Sequence, residues 1–526
     1  MTDVVVSPQE PTGPATPSGP SLSHLSARGL AWMSVNSLVS KVLGTLSQII
    51  LAWLLLPKDF GLIGLTYTVA AVTGILANTG LEDVLLQRQK HFHRWANPAF
   101  WISLFSGCVA TVVMILAAPI AARVYHERAM LGLTLAMSMG FPLANASLVP
   151  LAKLRIDLRF RTLAVLGMLN NALLPLLTIL FAWGGYAAYS FIWPRLICAA
   201  LTAGAAWYLT RAVIKPRLEL HLWRRLLGVG AATFGTRITF LLVTNGDYLT
   251  LGLMYPAAVV GAYFFAFNLS TQTTALVVVN FNNVLFPALC KLQADVNRQA
   301  RAMLRGLRML ATIAVPCCFL QAALAGPGIH VLFQPKWYPA IPVLQVLSIG
   351  MAFSALAWPA ASLLPAQGRF SVQAVMAWIS CVLFFILVGI GAYLYGNVGA
   401  GAGVAIYWAI YSLSNLRISL SPTDFGWREI FDSIKGSFIG GAIAVGIASA
   451  ARMLLPSSFR NGWITIVLVT SLSVYLYRLY VRRMDPEAWQ ELVHRAGQLR
   501  AKLIRINPLS RAKHVNHIPQ APRDVS

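Results

Sequence analysis

Apolar side chains along this 526-residue chain gather into runs of about twenty, separated by short stretches rich in proline, glycine and basic residues. About twenty residues is the length at which a helix rising 1.5 Å per residue crosses roughly 30 Å of hydrocarbon. Read against their breaks, the runs predict about fourteen helices. They fall near 29–56, 61–81, 97–122, 129–150, 162–183, 186–209, 226–254, 259–289, 309–327, 341–365, 371–394, 398–416, 436–454 and 462–480. An even number of crossings puts both ends of the chain on one side of the bilayer.

Composition agrees with this pattern. Hydrophobic side chains make up 57% and charged ones only 11%, against roughly 25% charged in a soluble globular chain. An ordinary soluble enzyme is excluded, and the fold class expected is an all-α polytopic membrane protein. Lys and Arg number 41 against 17 Asp and Glu, a net charge of +24, which in a soluble chain would point to nucleic acid. Here its placement decides the matter, because basic residues in short loops collect on the cytoplasmic side. With the amino terminus inside, about 32 of the 41 cations fall in inner segments, among them Arg88, Arg155, Arg159, Arg225, Arg305 and Arg369. About six fall outside: Lys58, Arg123, Arg128, Lys336, Arg452 and Arg460. One wrong early span would reverse every later loop, so the excess is topological and no nucleic-acid partner is expected. The outer loops are short, the longest near 328–340, and leave no room for an outer domain.

Residues 1–28 are rich in Pro, Ser, Thr and Gly and lack a basic start and apolar core, so they read as a disordered tail and not a signal peptide. Cys108, Cys198, Cys290, Cys317, Cys318 and Cys381 are scattered through apolar segments with no metal-ligand spacing. Buried free thiols are expected, with no metal and no cofactor.

An internal echo points to duplication. Ala146-Ser147-Leu148-Val149-Pro150 ends the fourth span and Ala361-Ser362-Leu363-Leu364-Pro365 ends the tenth, each soon followed by an arginine, Arg155 or Arg369. The turn Leu56-Pro57-Lys58-Asp59-Phe60-Gly61 after the first span is matched, roughly 200 residues on, by Tyr255-Pro256 and then Gly261 after the seventh. Two six-helix units in one orientation follow, 29–225 and 226–420, with two further helices in 421–480 and a basic cytoplasmic tail over 481–526.

Charges inside the membrane cost about 2.5–3.5 kcal/mol each on insertion scales, so each one kept asks for a partner or a wet cavity. They are Lys41 in the first span, Arg195 in the sixth, and Arg237 and Asp247 in the seventh. Ser37, Lys41, Gly44 and Gln48 share one helical stripe. Arg237 and Asp247 lie about 15 Å apart along their axis, too far to pair. The eighth span adds Asn268, Gln272, Asn280, Asn282 and Asn283, amides suited to hydroxyl-rich ligands. Three cations against one carboxylate make a net positive cavity that fits a phosphate or pyrophosphate. Snorkelling or structural pairing is the bland alternative for each cation.

Other patterns carry less. Asp59-Phe60-Gly61 and Asp424-Phe425-Gly426 lack the companions of a kinase site, Gly396 to Gly403 reads as close helix packing, as does Gly436-xxx-Gly440, and Asn268-Leu-Ser270 lies at membrane depth. Asp485-Pro486-Glu487 opens an amphipathic helix with Trp489, Leu492, Ala496, Leu499, Leu503 and Ile506 on one side, expected to lie on the cytoplasmic leaflet.

Gly29-Leu-Ala-Trp32, Leu55-Leu56-Pro57-Lys58-Asp59-Phe60-Gly61-Leu62, Gly246-Asp247-Tyr248 before Val260-Gly261-Ala262-Tyr263, Phe286-Pro287 and Trp337-Tyr-Pro-Ala340 occur in order over residues 25–420. Together they resemble the Wzx-type polysaccharide flippases of the multidrug/oligosaccharidyl-lipid/polysaccharide exporter superfamily. The resemblance implies two six-helix lobes around a central cavity, and translocation of an undecaprenyl-pyrophosphate-linked oligosaccharide across a bacterial inner membrane. No enzymatic activity is expected. Under that expectation Lys41, Gln48, Arg195, Arg237, Asn268 and Gln272 contact substrate, and Asp247 serves ion coupling or holds the helix of Arg237. Membrane lipids and a polysaccharide polymerase or export machinery are the expected partners. A lipid-linked peptidoglycan-precursor flippase, a drug exporter of the same superfamily, and a membrane-embedded polymerase or glycosyltransferase remain the alternatives.

Overall fold

A computed structural model describes residues 43–78, 80–211, 220–292, 295–454 and 462–484, with a few isolated positions besides. The amino-terminal tail, Lys41 and the carboxyl segment from 491 lie outside the described residues, and so do the side chains of Arg237, Asn280, Asn282 and Asn283. In chain order the helices are α1 (Leu43–Leu54), α2 (Pro57–Ala77), α3 (Leu81–Gln87), α4 (Phe92–Val124), α5 (Ala129–Ser138), α6 (Gly140–Ala146), α7 (Leu148–Ile156), α8 (Phe160–Trp183), α9 (Trp193–Thr210), α10 (Leu220–Met254), α11 (Ala257–Lys291), α12 (Val296–Leu332), α13 (Ala340–Ala366), α14 (Phe370–Ser419), α15 (Trp427–Ala451) and α16 (Trp463–Met484). Among the described residues, ten helices are long and apolar enough to cross a membrane, counting α5 to α7 as one. The chain is a helical, multi-pass membrane protein.

Boundaries differ from the hydropathy reading where charge and turn chemistry override it. The second helix begins at Pro57, not near 61, because proline suits the first helical turn and the Asp59 carboxylate accepts the Leu56 N–H at 2.9 Å. The ninth expected span, 309–327, is the apolar part of the longer α12. Its first turns bury Gln299, Ala300, Met303, Leu304 and Leu307 while Arg298, Arg301 and Arg305 stay exposed. The longest expected loop thereby shrinks to 333–339. Spans 371–394 and 398–416 are the two limbs of α14, divided at Tyr395 and Gly396, where Gly396 has φ +62°. The limbs touch through Gly391 and Gly399, so the glycine-rich run serves helix packing. Gly440 likewise admits the Tyr480 ring of α16. All six cysteines are free, but only Cys198, Cys318 and Cys381 are buried, while Cys108 and Cys317 face outward.

Two pairs of turns repeat at the level of the backbone. Between α1 and α2, Leu55 N–H donates to Leu51 O at 2.8 Å and Asp59 N–H to Leu56 O at 3.0 Å. Between α10 and α11, each 200 positions later, Tyr255 donates to Leu251 at 2.8 Å and Val259 to Pro256 at 3.0 Å. The second pair follows α7 and α13. Leu158 (φ +53°) and Gly368 (φ +72°) are left-handed, and the next residues, Arg159 and Arg369, donate backbone N–H to Leu154 O and Leu364 O, each at 3.0 Å. The Arg159 guanidinium reaches Leu209 O at the end of α9 at 3.5 Å, and that of Arg369 reaches Ile418 O at the end of α14 at 3.0 Å. Cations there complement the negative ends of these helices. Arg159, rather than Arg155, is therefore the counterpart of Arg369, and the Ala-Ser-Leu-Val-Pro echo lies five residues out of register with the turn it seemed to mark.

Candidate functional site

The two repeated turns at one end of the bundle pack directly on each other. Gly61 of α2 and Gly261 of α11 cross so closely that a Cβ on Gly61 would lie 2.6 Å from the Ala257 carbonyl carbon, and one on Gly261 would lie 2.7 Å from that of Pro57. Only glycine permits that approach. Around the crossing, Phe60 meets Phe191, Phe264, Phe265 and Trp337 edge-on, with ring centroids 5.0 to 6.3 Å apart. Phe265 and Trp337 approach to 4.1 Å.

Three hydrogen bonds close the same end between the end of α1 and the α12–α13 connection. The buried Trp337 indole donates to Ala52 O at 2.8 Å, the Trp53 indole donates to Leu332 O at 2.7 Å, and Lys336 Nζ donates to Trp53 O at 3.2 Å. Trp337 is wholly buried, although it sits in what the sequence presents as the longest exposed loop. Buried aromatics whose N–H groups are matched to otherwise unpaired helix-end carbonyls make this a dry, ordered closure. Partial burial lowers the pKa of Lys336 below its usual 10.5, with the nearby Asp59 charge opposing the shift.

The expected site residues that fall within the described structure lie on α1, α9, α10 and α11. Arg195 of α9 is exposed and stacks its guanidinium 4.6 Å from the Tyr67 ring centroid of α2. Tyr67 in turn meets Phe264 of α11 at 6.3 Å. Asn268 and Gln272 follow Phe264 at successive intervals of four, on one face of α11. The Asn268 amide donates to Phe264 O at 2.8 Å, and among the described residues Gln272 Oε1 is buried without a hydrogen-bond partner. Leaving a buried acceptor unmatched costs about 1–3 kcal/mol, so a donor supplied by a ligand would be favoured there. Gln48 is half-buried on α1.

Asp247 stands apart from this stripe. It is 1% exposed; its carboxylate accepts the Tyr263 hydroxyl at 3.0 Å and the Tyr248 N–H at 2.9 Å. Tyr248 and Tyr263 pack on each other and on Phe267. Its partner is thus a neighbouring tyrosine on α11, which spacing along α10 alone could not reveal. Tyr67 and Trp53 carry no sequence signal, and Tyr263 stands there only as the end of the Val260-Gly261-Ala262-Tyr263 motif, with no role attached. Each is an aromatic within an apolar run, and only pairing across helices distinguishes them.

Comparison with known proteins places this arrangement. A succinoglycan biosynthesis transport protein of Rhizobium meliloti, ExoT, is 22% identical over 496 residues, covering 92% of this chain and 98% of the relative. The lipopolysaccharide biosynthesis protein WzxC of Escherichia coli is 23% identical over 406 residues, 76% of this chain and 82% of its own length. Among solved structures, the lipid II flippase MurJ in an inward closed conformation superposes with a TM-score of 0.68 at 14% identity, covering 86% of this chain and 99% of that one. An inward-facing multidrug resistance transporter of the MATE family gives 0.58 at 13%, covering 76% and 99%. The model of the family described as "Polysaccharide biosynthesis protein" matches residues 50–342, and with more than half of its length so matched this chain belongs to that family.

Proposed function

We propose that the protein is a flippase that carries an undecaprenyl-pyrophosphate-linked oligosaccharide repeat unit across the bacterial inner membrane, for the synthesis of a surface polysaccharide. The observation that carries this reading is the reciprocal Gly61–Gly261 crossing. Two equivalent turns, 200 positions apart, meet in van der Waals contact and close one end of the bundle. Such a contact is where two lobes meet, 29–225 and 226–420, each of six helices, with two added helices to make fourteen, and rocking of the lobes parts and remakes it. Packed interfaces of this kind have discrete closed and open arrangements. Both termini face the cytoplasm, so the Trp337 end faces outward and the side that opens first faces the substrate's leaflet of origin.

The cargo is anionic at its head and rich in hydroxyls beyond it. Arg195, held by Tyr67, supplies a planar donor to pyrophosphate, joined by Lys41 and Arg237; Gln48, Asn268 and Gln272 bond sugar hydroxyls. Asp247, buried against Tyr263, serves ion coupling. The polyprenyl chain stays in the bilayer, so only the head needs the wet path, and the chain acts as a transporter with no bond made or broken. The test is reconstitution into vesicles with a fluorescent polyprenyl-pyrophosphate-linked oligosaccharide in one leaflet. Exchange above that of empty vesicles is expected, and its absence from folded protein, with or without an ion gradient, would overturn the reading.

A further inference from the structure

A groove lies on the sparsely packed side of α8 and α9, away from the Gly61–Gly261 contact. Between the start of α8 and the end of α9 runs a groove of about 420 Å³ lined by Arg161, Val165, Leu169, Ala205, Tyr208 and Leu209. Its floor is aliphatic, and from Arg161 to Leu169 it extends about 12 Å along α8, the length of a segment of acyl chain. Tyr208 stands at its edge, 78% exposed.

The mouth of the groove is cationic. Arg161 is exposed, and among the described residues it has neither an ion-pair nor a hydrogen-bond partner. Arg159, whose guanidinium reaches Leu209 O of the groove wall, is exposed, and so is Arg211, two residues beyond Leu209 at the end of α9. Arg155, by contrast, is already engaged by Glu82 at 2.7 Å, and Asp157 is the one nearby carboxylate exposed in the same turn. An apolar trough that ends in exposed guanidinium groups at the helix ends matches an anionic amphiphile lying parallel to the helices.

We propose that this groove binds an anionic phospholipid, with the phosphodiester on Arg161, Arg159 and Arg211, the glycerol near Tyr208, and an acyl chain along Val165 and Leu169. A bilayer phospholipid is preferred over the polyprenyl cargo because Ala205, Tyr208 and Leu209 lie about 15–21 Å along α9 from Arg195, the cation given to the cargo. Arg195, on the same helix α9, turns instead toward α2 through Tyr67. The site is independent of the transport reading and needs only that the helices reside in a bilayer.

Ser371 occupies the equivalent second residue of α14 after the matching Arg369 turn, so serine is the replacement chosen for Arg161. The experiment compares wild type, Arg161→Ser and Arg161→Lys, each full-length in nanodiscs holding a trace of photoactivatable phosphatidylglycerol in phosphatidylcholine. Crosslinked peptides are mapped by mass spectrometry. Adducts are expected on 161–169 and 205–209, reduced about fivefold by Arg161→Ser, the contribution of one cation near an anionic lipid surface, and restored by Arg161→Lys. Equal labelling of all three proteins, or equal labelling by a phosphatidylcholine probe, would overturn the site. Displacement of the probe by micromolar undecaprenyl pyrophosphate would also overturn it, by identifying the groove as a cargo track.

Discussion

Replacing Gly261 by alanine tests the closure at its tightest point. The new Cβ would overlap the Pro57 carbonyl oxygen and stand 2.7 Å from its carbon and 2.8 Å from the Gly61 nitrogen, where carbon contacts settle near 3.5–4.0 Å. All three obstructing atoms are backbone, so no rotamer change relieves them and α2 and α11 must move apart by about 1.5 Å. Overpacking of this kind costs about 1–3 kcal/mol, and backbone rigidity puts Gly261→Ala near the upper end. At 1.4 kcal/mol per tenfold, about 2–3 kcal/mol shifts the ratio of closed to open by roughly 30- to 150-fold. In the proposed open arrangement the two turns are parted and the clash is absent, so the cost is expected on closure and not on folding. Ala257, 2% exposed at the crossing, provides the reporter. Labelling of Ala257→Cys by a water-soluble maleimide is expected to accelerate by that order in Gly261→Ala and in Gly61→Ala. It should not accelerate in Gly389→Ala, where a Cβ meets open space. An unchanged labelling rate in both crossing variants, with thermal unfolding like wild type, would refute the reasoning.

Three further expectations follow from the same geometry. Trp337→Phe keeps the ring packing but removes the donor to the Ala52 carbonyl, a buried acceptor whose loss of partner costs about 1–3 kcal/mol; faster Ala257→Cys labelling, by roughly tenfold, is expected, and no change would show that the indole bond is incidental. Lys336 holds its proton less tightly in the closed state, where burial lowers its pKa, than it would when solvated. Raising pH from that lowered value toward 10.5 therefore favours closure; labelling relative to that of a fully exposed cysteine at the same pH should slow over this window in wild type, and Lys336→Gln should abolish that relative change. Arg195→Gln should cut oligosaccharide exchange by tenfold or more without lowering the unfolding temperature, whereas Arg195→Lys, which keeps the charge but loses the planar stack on Tyr67, should lie between. Full exchange by the Gln variant would remove Arg195 from the path.

Much of the architecture is legible in the sequence because lipid leaves the chain few choices. Backbone groups must be satisfied within each segment, so apolar runs report helices, and Pro57 and Pro256 report the turns between them. The repeat is legible at those turns and misleading elsewhere. The Pro150 and Pro365 motifs look alike, yet the true correspondence joins Leu158-Arg159 to Gly368-Arg369, because a left-handed residue followed by a helix-capping cation can be built from different side chains. The closure is the least legible part. Nothing along 333–339 distinguishes a buried plug from a wet loop until the carbonyls of Ala52 and Trp53, more than 280 positions earlier, are brought beside Trp337 and Lys336. Asp247 is similar: its charge marks it from the sequence, but its tyrosine partner comes from a different helix.

The most direct measurement joins the two sides of the closure and asks whether transport stops. Trp53 and Leu332 touch across it, with indole nitrogen and carbonyl oxygen 2.7 Å apart, so Trp53→Cys with Leu332→Cys can be bridged by a short bifunctional maleimide in otherwise cysteine-free protein. In vesicles loaded with fluorescent lipid-linked oligosaccharide, the bridged protein is expected to exchange no faster than empty vesicles, while the unbridged double variant and each singly labelled protein continue. Exchange at the full rate after complete bridging would contradict passage through an opening at this end.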